Sequence, residues 1–182
     1  MGTWTLKVDA QAITSGKNMM AISNATGSGR VIRIYRMWVT NPQTSNVTGG
    51  ITLFKLGRVS SGIHSGGTAI TWVPHSSAVT AGSATPFTGI TAVHGGSAIT
   101  ATFGTLLLRF ARSNDELAAG GATLDEMCNV LPWALMFDAG VGDSNVEPIV
   151  IRENSSVLLQ MDTVGFYVGS CDIMVELTVE TT

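Results

Sequence analysis

The sequence predicts an all-β domain, a β-sandwich of about nine or ten strands with at most one short helix near residues 113–130. Three observations carry this. The first is the stretch Phe166 to Glu180. There Tyr167, Gly169, Cys171, Ile173, Val175, Leu177 and Val179 alternate with Val168, Ser170, Asp172, Met174, Glu176, Thr178 and Glu180. Near-strict alternation marks a strand with one face buried and one wet. The second is Arg30 to Thr40, dominated by Val, Ile, Tyr and Trp. Neither of its parities is purely polar, which predicts a strand covered on both sides. The third is punctuation: Gly, Ser, Asn and Pro clusters interrupt the apolar runs roughly every 8–15 residues.

In chain order, Thr3 to Asp9 alternates Trp4, Leu6 and Val8 against Thr3, Thr5 and Lys7, so residues 1–16 supply an N-terminal strand or arm. Met19 to Asn24 is a short second strand, closed by the turn Ala25-Thr-Gly-Ser-Gly29. Asn41-Pro42 marks an exposed corner, because Pro42 lacks the donor that a ladder needs. Gly50 to Val59 and Thr68 to Val73 are the next strands. His75 to Gly96 reads as a long Ser/Ala/Thr/Gly loop in which Phe87, Ile90 and Val93 pack back onto the domain. Ile99 to Arg109 is a strand. Ser113-Asn-Asp-Glu116 and Thr123-Leu-Asp-Glu126 match the capping box and predict a turn or two of helix. Leu131 to Asp138 is a strand, and Pro148 to Asp162 holds two apolar runs broken by Glu153-Asn-Ser-Ser156. No repeat of 20–50 residues is present, so residues 1–182 read as one domain. Two sheets whose strands return across the top suggest a jelly roll.

At 182 residues the chain can bury roughly 70% of its unfolded surface. Only 13% of residues are charged against 45% apolar, which calls for a Ser/Thr/Gly/Asn-rich surface, a partner covering part of it, or both. The net charge is −3, and Arg30, Arg33 and Arg36 are the one basic cluster. Alternation puts Arg30 and Arg36 on one face and Arg33 on the other, which is not a nucleic-acid stripe. The N-terminus has neither a basic segment nor an apolar one, so no signal peptide is expected, and no apolar run is long enough to span a bilayer. Cys128 and Cys171 are too few for a disulfide scaffold; Cys171 lies on the apolar parity of the last strand and is expected to be a buried thiol, with a single bridge left open.

No residue is assigned to catalysis, to a cofactor or to a metal. His64, His75 and His94 lie in Gly/Ser loops without the close-spaced ligands of a zinc site. No Gly-x-Ser-x-Gly elbow occurs. Asp115/Glu116 and Asp125/Glu126 are explained as acids at helix starts. The Gly27-x-Gly29 and Gly49-Gly50 pairs are turn glycines, because neither stands between a strand and a helix. Trp4, Trp38, Trp72 and Trp133 could stack sugars, but the expectation is that most serve the core or a subunit interface.

Two blocks, together about half of the chain, resemble a type of small virion protein of tailed bacteriophages. They are Arg36-Met-Trp-Val-Thr-Asn-Pro42, and Pro148-Ile-Val-Ile-Arg-Glu-Asn-Ser-Ser-Val-Leu-Leu-Gln-Met161 followed by the last alternating strand. The chain departs from that type at Glu153-Asn154, where a Gly-containing turn is expected, and in its long Gly/Ser/Thr middle. The resemblance implies a jelly roll shaped like the tumour-necrosis-factor and C1q heads. It implies a non-enzymatic particle component, a homotrimer that sits in the virion, is assembled in the host cytoplasm and contacts the major capsid protein or other virion proteins. A head decoration or cement protein is the favoured role. The alternative is a tail- or fibre-associated module that binds carbohydrate through loop aromatics such as Trp72 and Phe87. No cofactor, nucleic acid or membrane enters either reading.

Overall fold

A computed structural model of the protein describes residues 2–40, 50–60, 62–77, 86–114, 133–139, 147–162 and 170–182. These form twelve strands: β1 (Gly2–Ala12), β2 (Asn18–Asn24), β3 (Arg30–Thr40), β4 (Gly50–Val59), β5 (Ser65–Ala69), β6 (Thr71–Pro74), β7 (Ile90–Thr100), β8 (Phe103–Asn114), β9 (Trp133–Asp138), β10 (Ile149–Ile151), β11 (Ser155–Met161) and β12 (Ser170–Thr181). All ladders are antiparallel and fall in two packed sheets, a β-sandwich. The first sheet runs β10-β3-β12-β1-β6, with β9 also paired to β3; the second runs β5-β7-β2-β11-β4-β8. The described residues include no helix. Ser113 and Asn114, expected to open one, continue β8 opposite Ile51 and Gly50. The ladder gives their backbone groups partners that a cap would otherwise supply. The remainder of the expected helix, together with Asp115, Glu116, Asp125, Glu126 and Cys128, lies outside the described residues.

The pairing is nested. β1 pairs with β12, β2 with β11, β3 with β10 and β4 with β8. The chain therefore behaves as one antiparallel ribbon folded across itself, with β5, β6 and β7 inserted before the return. Because β1 to β4 alternate between the sheets, each strand must bury only its inner parity. In β12 that parity is Cys171, Ile173, Val175, Leu177 and Val179, all between 0 and 3% exposed. In β1 it is Trp4, Leu6 and Val8, and in the second sheet Met20, Ile22, Phe54, Leu56, Val157 and Leu159 face them. Asp172, Glu176 and Glu180 take the outer parity, as alternation predicts. Tyr167 lies outside the described residues.

β3 departs from simple alternation, and the departure explains its mixed sequence. Leu177 of β12 pairs with Ile34 while Glu176 pairs with Arg36, so Tyr35 is an extra, bulged residue. The bulge switches parity: Ile32 and Ile34 point inward before it, Met37 and Val39 after it. The apolar residues on both parities thus do not reflect equal cover on both faces. The expectation for the arginines is corrected in the same way. Arg33 and Arg36 share the outer face, where Arg33 bonds Glu180 at 3.1 Å and Arg36 bonds Glu176 at 3.2 Å and Asp138 at 3.3 Å. Arg30 instead lies over the Phe87 ring, 4.9 Å from its centre.

Two further segments differ from expectation. Thr68 to Val73 is broken at the buried Ile70 into β5, in the second sheet, and β6, in the first. The last seven residues of the expected loop His75 to Gly96 are strand: β7 begins at Ile90 and pairs with β2 and β5. Its Gly95 and Gly96 carry φ of 132° and 56°, a bend that a propensity count scores as loop. The turn of Glu153-Asn154 does the work expected of glycine. Asn154 itself takes φ 55°, and the Glu153 carboxylate accepts the Gly27 and Gly29 N–H groups at 3.1 and 2.7 Å. Those two bonds, Gly27 first, hold the Glu153 carboxyl below the usual carboxylate range and tie the β2–β3 turn to the β10–β11 turn.

The second sheet also carries a small core on its outer face. Ala21, Val59, Val93, Ile99 and Leu158 are buried there, with Ala101 and Phe103 packed against them. This is why every residue of β2 is buried. Gly57 makes the cover possible, since a Cβ there would lie 2.8 Å from Phe103 Cε1 and 2.7 Å from the Thr105 carbonyl oxygen. Gly57→Ala is therefore expected to destabilise by about 1–3 kcal/mol through overpacking against backbone that cannot move. In the main core, Ile173→Ala is expected to cost about 2–5 kcal/mol, and Glu176→Ala, which removes one partly exposed ion pair, no more than about 1 kcal/mol. Urea unfolding of the three variants measures the order; equal midpoints for the Ile173 and Glu176 variants would contradict the register.

Candidate functional site

The strongest concentration of polar groups in the described interior is on the covered outer face of the second sheet. Ser23 of β2 and Ser156 of β11 are directly paired across the ladder and are 3% and 1% exposed. The chain leaving β4 crosses above them. In this crossing Ile63 is turned out, 45% exposed, while the polar His64 is turned in, 9% exposed. That inversion of the usual preference is explained by what His64 meets. Its Nδ1 hydrogen-bonds Ser23 Oγ, Ser23 Oγ lies 2.6 Å from Ser156 Oγ, and Ser156 Oγ donates to the Gly62 carbonyl at 2.7 Å. The His64 backbone N–H also points to Ser23 Oγ, at 3.4 Å.

Counting protons settles the direction of this chain. Three contacts need three hydrogens; each serine has one and the Gly62 carbonyl none. The third must come from His64, so Nδ1 carries its proton and donates to Ser23, Ser23 donates to Ser156, and Ser156 donates to Gly62. A serine activated as a nucleophile would instead give its proton to the imidazole. His64 is thus a donor to Ser23, not its base. Burial holds the His64 imidazole below its ordinary value. The cluster clamps the residue 62–64 crossing onto the sheet, and its arrangement is that of a satisfied structural network.

The other histidines stand apart from it. The exposed His75 bonds Thr5 Oγ1 at 2.7 Å through Nε2. His94, in β7, donates from Nδ1 to Gln11 Oε1 at 2.9 Å, and burial lowers its pKa also. No group of three or more His, Cys, Asp or Glu side chains able to hold a metal occurs among the described residues. Cys171 is a free thiol that burial, and secondarily Asp172, pushes up to about 12, so it is protonated and unreactive at neutral pH.

The tryptophans divide by face. Trp4 and Trp72 are 6% and 1% exposed and form, with Phe87, three mutual edge-to-face contacts with ring centres 5.5–6.1 Å apart. Trp72 is therefore a core residue of β6, not a loop aromatic, and Phe87 packs against the same cluster. Neither offers an open stacking platform. Trp38 lies on the outer face of the first sheet, half-buried, in one cross-strand row with Met174 and Lys7. Trp133 opens β9 opposite Thr40.

Sequence reasoning missed Ser23, Ser156 and Glu153. The serines carried little signal: Ser23 stands beside Asn24 and Ser156 beside Ser155, each at the polar end of a short strand. Their meeting with His64, 41 positions from Ser23, is a property of the fold.

No family model, curated protein or solved structure matches the chain significantly. Ser23→Ala leaves the His64 Nδ1–H without its acceptor and is expected to destabilise by about 1–3 kcal/mol in urea unfolding. A fluorophosphonate probe should leave Ser23 unlabelled in the folded chain; stoichiometric labelling would refute the direction of the proton chain.

Proposed function

We propose that the chain is a non-enzymatic structural protein of a bacteriophage particle, most specifically a capsid decoration or cement protein that acts as a homotrimer. The observation that carries the reading is the nested pairing of β1 with β12, β2 with β11, β3 with β10 and β4 with β8. Split between two sheets as β1-β12-β3-β10 and β2-β11-β4-β8, it supports a jelly roll, a fold that recurs in viral capsid domains. The low charge supports a protein whose surface is partly covered by partners, and Val73, Leu106 and Leu107 stand 40–50% exposed. The burial of Trp72 and the packing of Phe87 favour this reading over a carbohydrate-binding tail module.

Under this proposal the mechanism is mass action. A trimer that binds only the assembled shell, through the major capsid protein, stabilises it by RT ln(1 + [L]/Kd) per site, about 2.7 kcal/mol when free protein is 100 times Kd. Closed threefold symmetry covers sheet edges without growing a filament. The subunit contacts are apolar, because the described charges of the first sheet's outer face are already engaged within the subunit. Light scattering across micromolar concentrations should give a trimer at both 0.1 M and 1 M salt, since salt screens charge pairs and not apolar contacts. A monomer near 19.0 kDa throughout would refute intrinsic self-association, and a trimer lost at 1 M salt would refute the apolar interface. Binding to a glycan array would favour the receptor-binding alternative.

A further inference from the structure

We propose that His64 is a pH-sensitive latch, which holds the residue 62–64 crossing and the start of β5 on the second sheet at neutral pH and releases them in mild acid. The proposal is independent of the particle role. It rests on the geometry of one crossing. Residues 62–64 touch the sheet through two side-chain links, His64 to Ser23 and Ser156 to Gly62, and through the His64 N–H on the same serine. Beyond the latch, all five residues of β5 are exposed and pair with a single strand, β7. The rest of the segment is held by that ladder and by the seating of Gly67 against Val93 and Ile99.

The groups facing the imidazole are Ser23 from β2, Ser156 from β11 through Ser23, and the backbone of Gly62. Among the described residues no charged side chain contributes to its shift, whose cause is burial. A second proton would therefore place an imidazolium where neither a carboxylate nor bulk water balances it. When the crossing lifts, the ring regains water and its ordinary affinity for that proton. The sign follows. The closed form has the depressed pKa, so the latch is fully present above the ordinary histidine value of about 6.5 and weakens as pH falls from there toward the closed-state value.

Hydrogen–deuterium exchange of the full chain at about pH 5 and about pH 8 tests this, read as protection relative to intrinsic amide rates, with the β12 amides as internal reference. At about pH 5 a solvated imidazole is protonated by about 30 to 1, so protection over residues 62–69 should fall by up to about 30-fold from its value at about pH 8. β12 should not change. His64→Asn keeps a donor at the position of Nδ1 but does not titrate, and should abolish the pH difference. His94→Asn removes the other buried imidazole and should leave the difference intact. Equal protection of residues 62–69 at the two pH values would overturn the latch. So would a difference that survives in His64→Asn, or a loss shared equally by β12, which would mean global unfolding.

Discussion

The structure depends on burying one face of β12. This strand is hydrogen-bonded on both sides, to β1 and to β3, and its five inner side chains are at most 3% exposed. Because side chains alternate, a slip of one residue against either neighbour would drive Asp172, Glu176 and Glu180 into the core and put the apolar set in water. Each residue of that set is worth about 1.5–3 kcal/mol on burial, so the register penalty exceeds any single ion pair or loop contact. The nested pairing follows from this: once β12 is fixed between β1 and β3, β11 returns beside β2 and closes the opposite sheet.

The two outer faces solve the problem of cover differently. The second sheet is covered by its own chain, with Phe103 seated over Gly57 and His64 over Ser23 and Ser156. That cover needs a glycine in one place and a complete proton chain in the other. The first sheet presents Trp38, Met174 and Tyr35 among arginine–carboxylate pairs. A face whose charges are paired internally does not repel a second copy, which agrees with the proposed self-association. A buried polar network that loses its balance on one protonation makes the second face the one suited to respond to conditions.

The parts of the fold legible in the sequence were those set by strict two-residue alternation. Trp4-Leu6-Val8 and Cys171 through Val179 could be assigned both strand and face, and all eight are buried. Alternation failed where the backbone breaks it. The Tyr35 bulge put Arg33 and Arg36 on one face where alternation separates them, and Gly95-Gly96 disguised β7 as loop. Ser113 resembled a helix cap because its local pattern contains no record of the β4 strand that pairs with it. The His64 cluster was illegible for a deeper reason. Ser23, His64 and Ser156 belong to separate segments, and only the pairing of β2 with β11 brings the two hydroxyls beneath the histidine.

Cryo-electron microscopy of particles purified from cultures that express the chain tests the structural-protein account most directly. The account predicts β-sandwich density in threefold clusters on the outside of the shell, with β12 in the interior of each subunit's first sheet. Particles without such density, with the chain left in the soluble fraction, would contradict it.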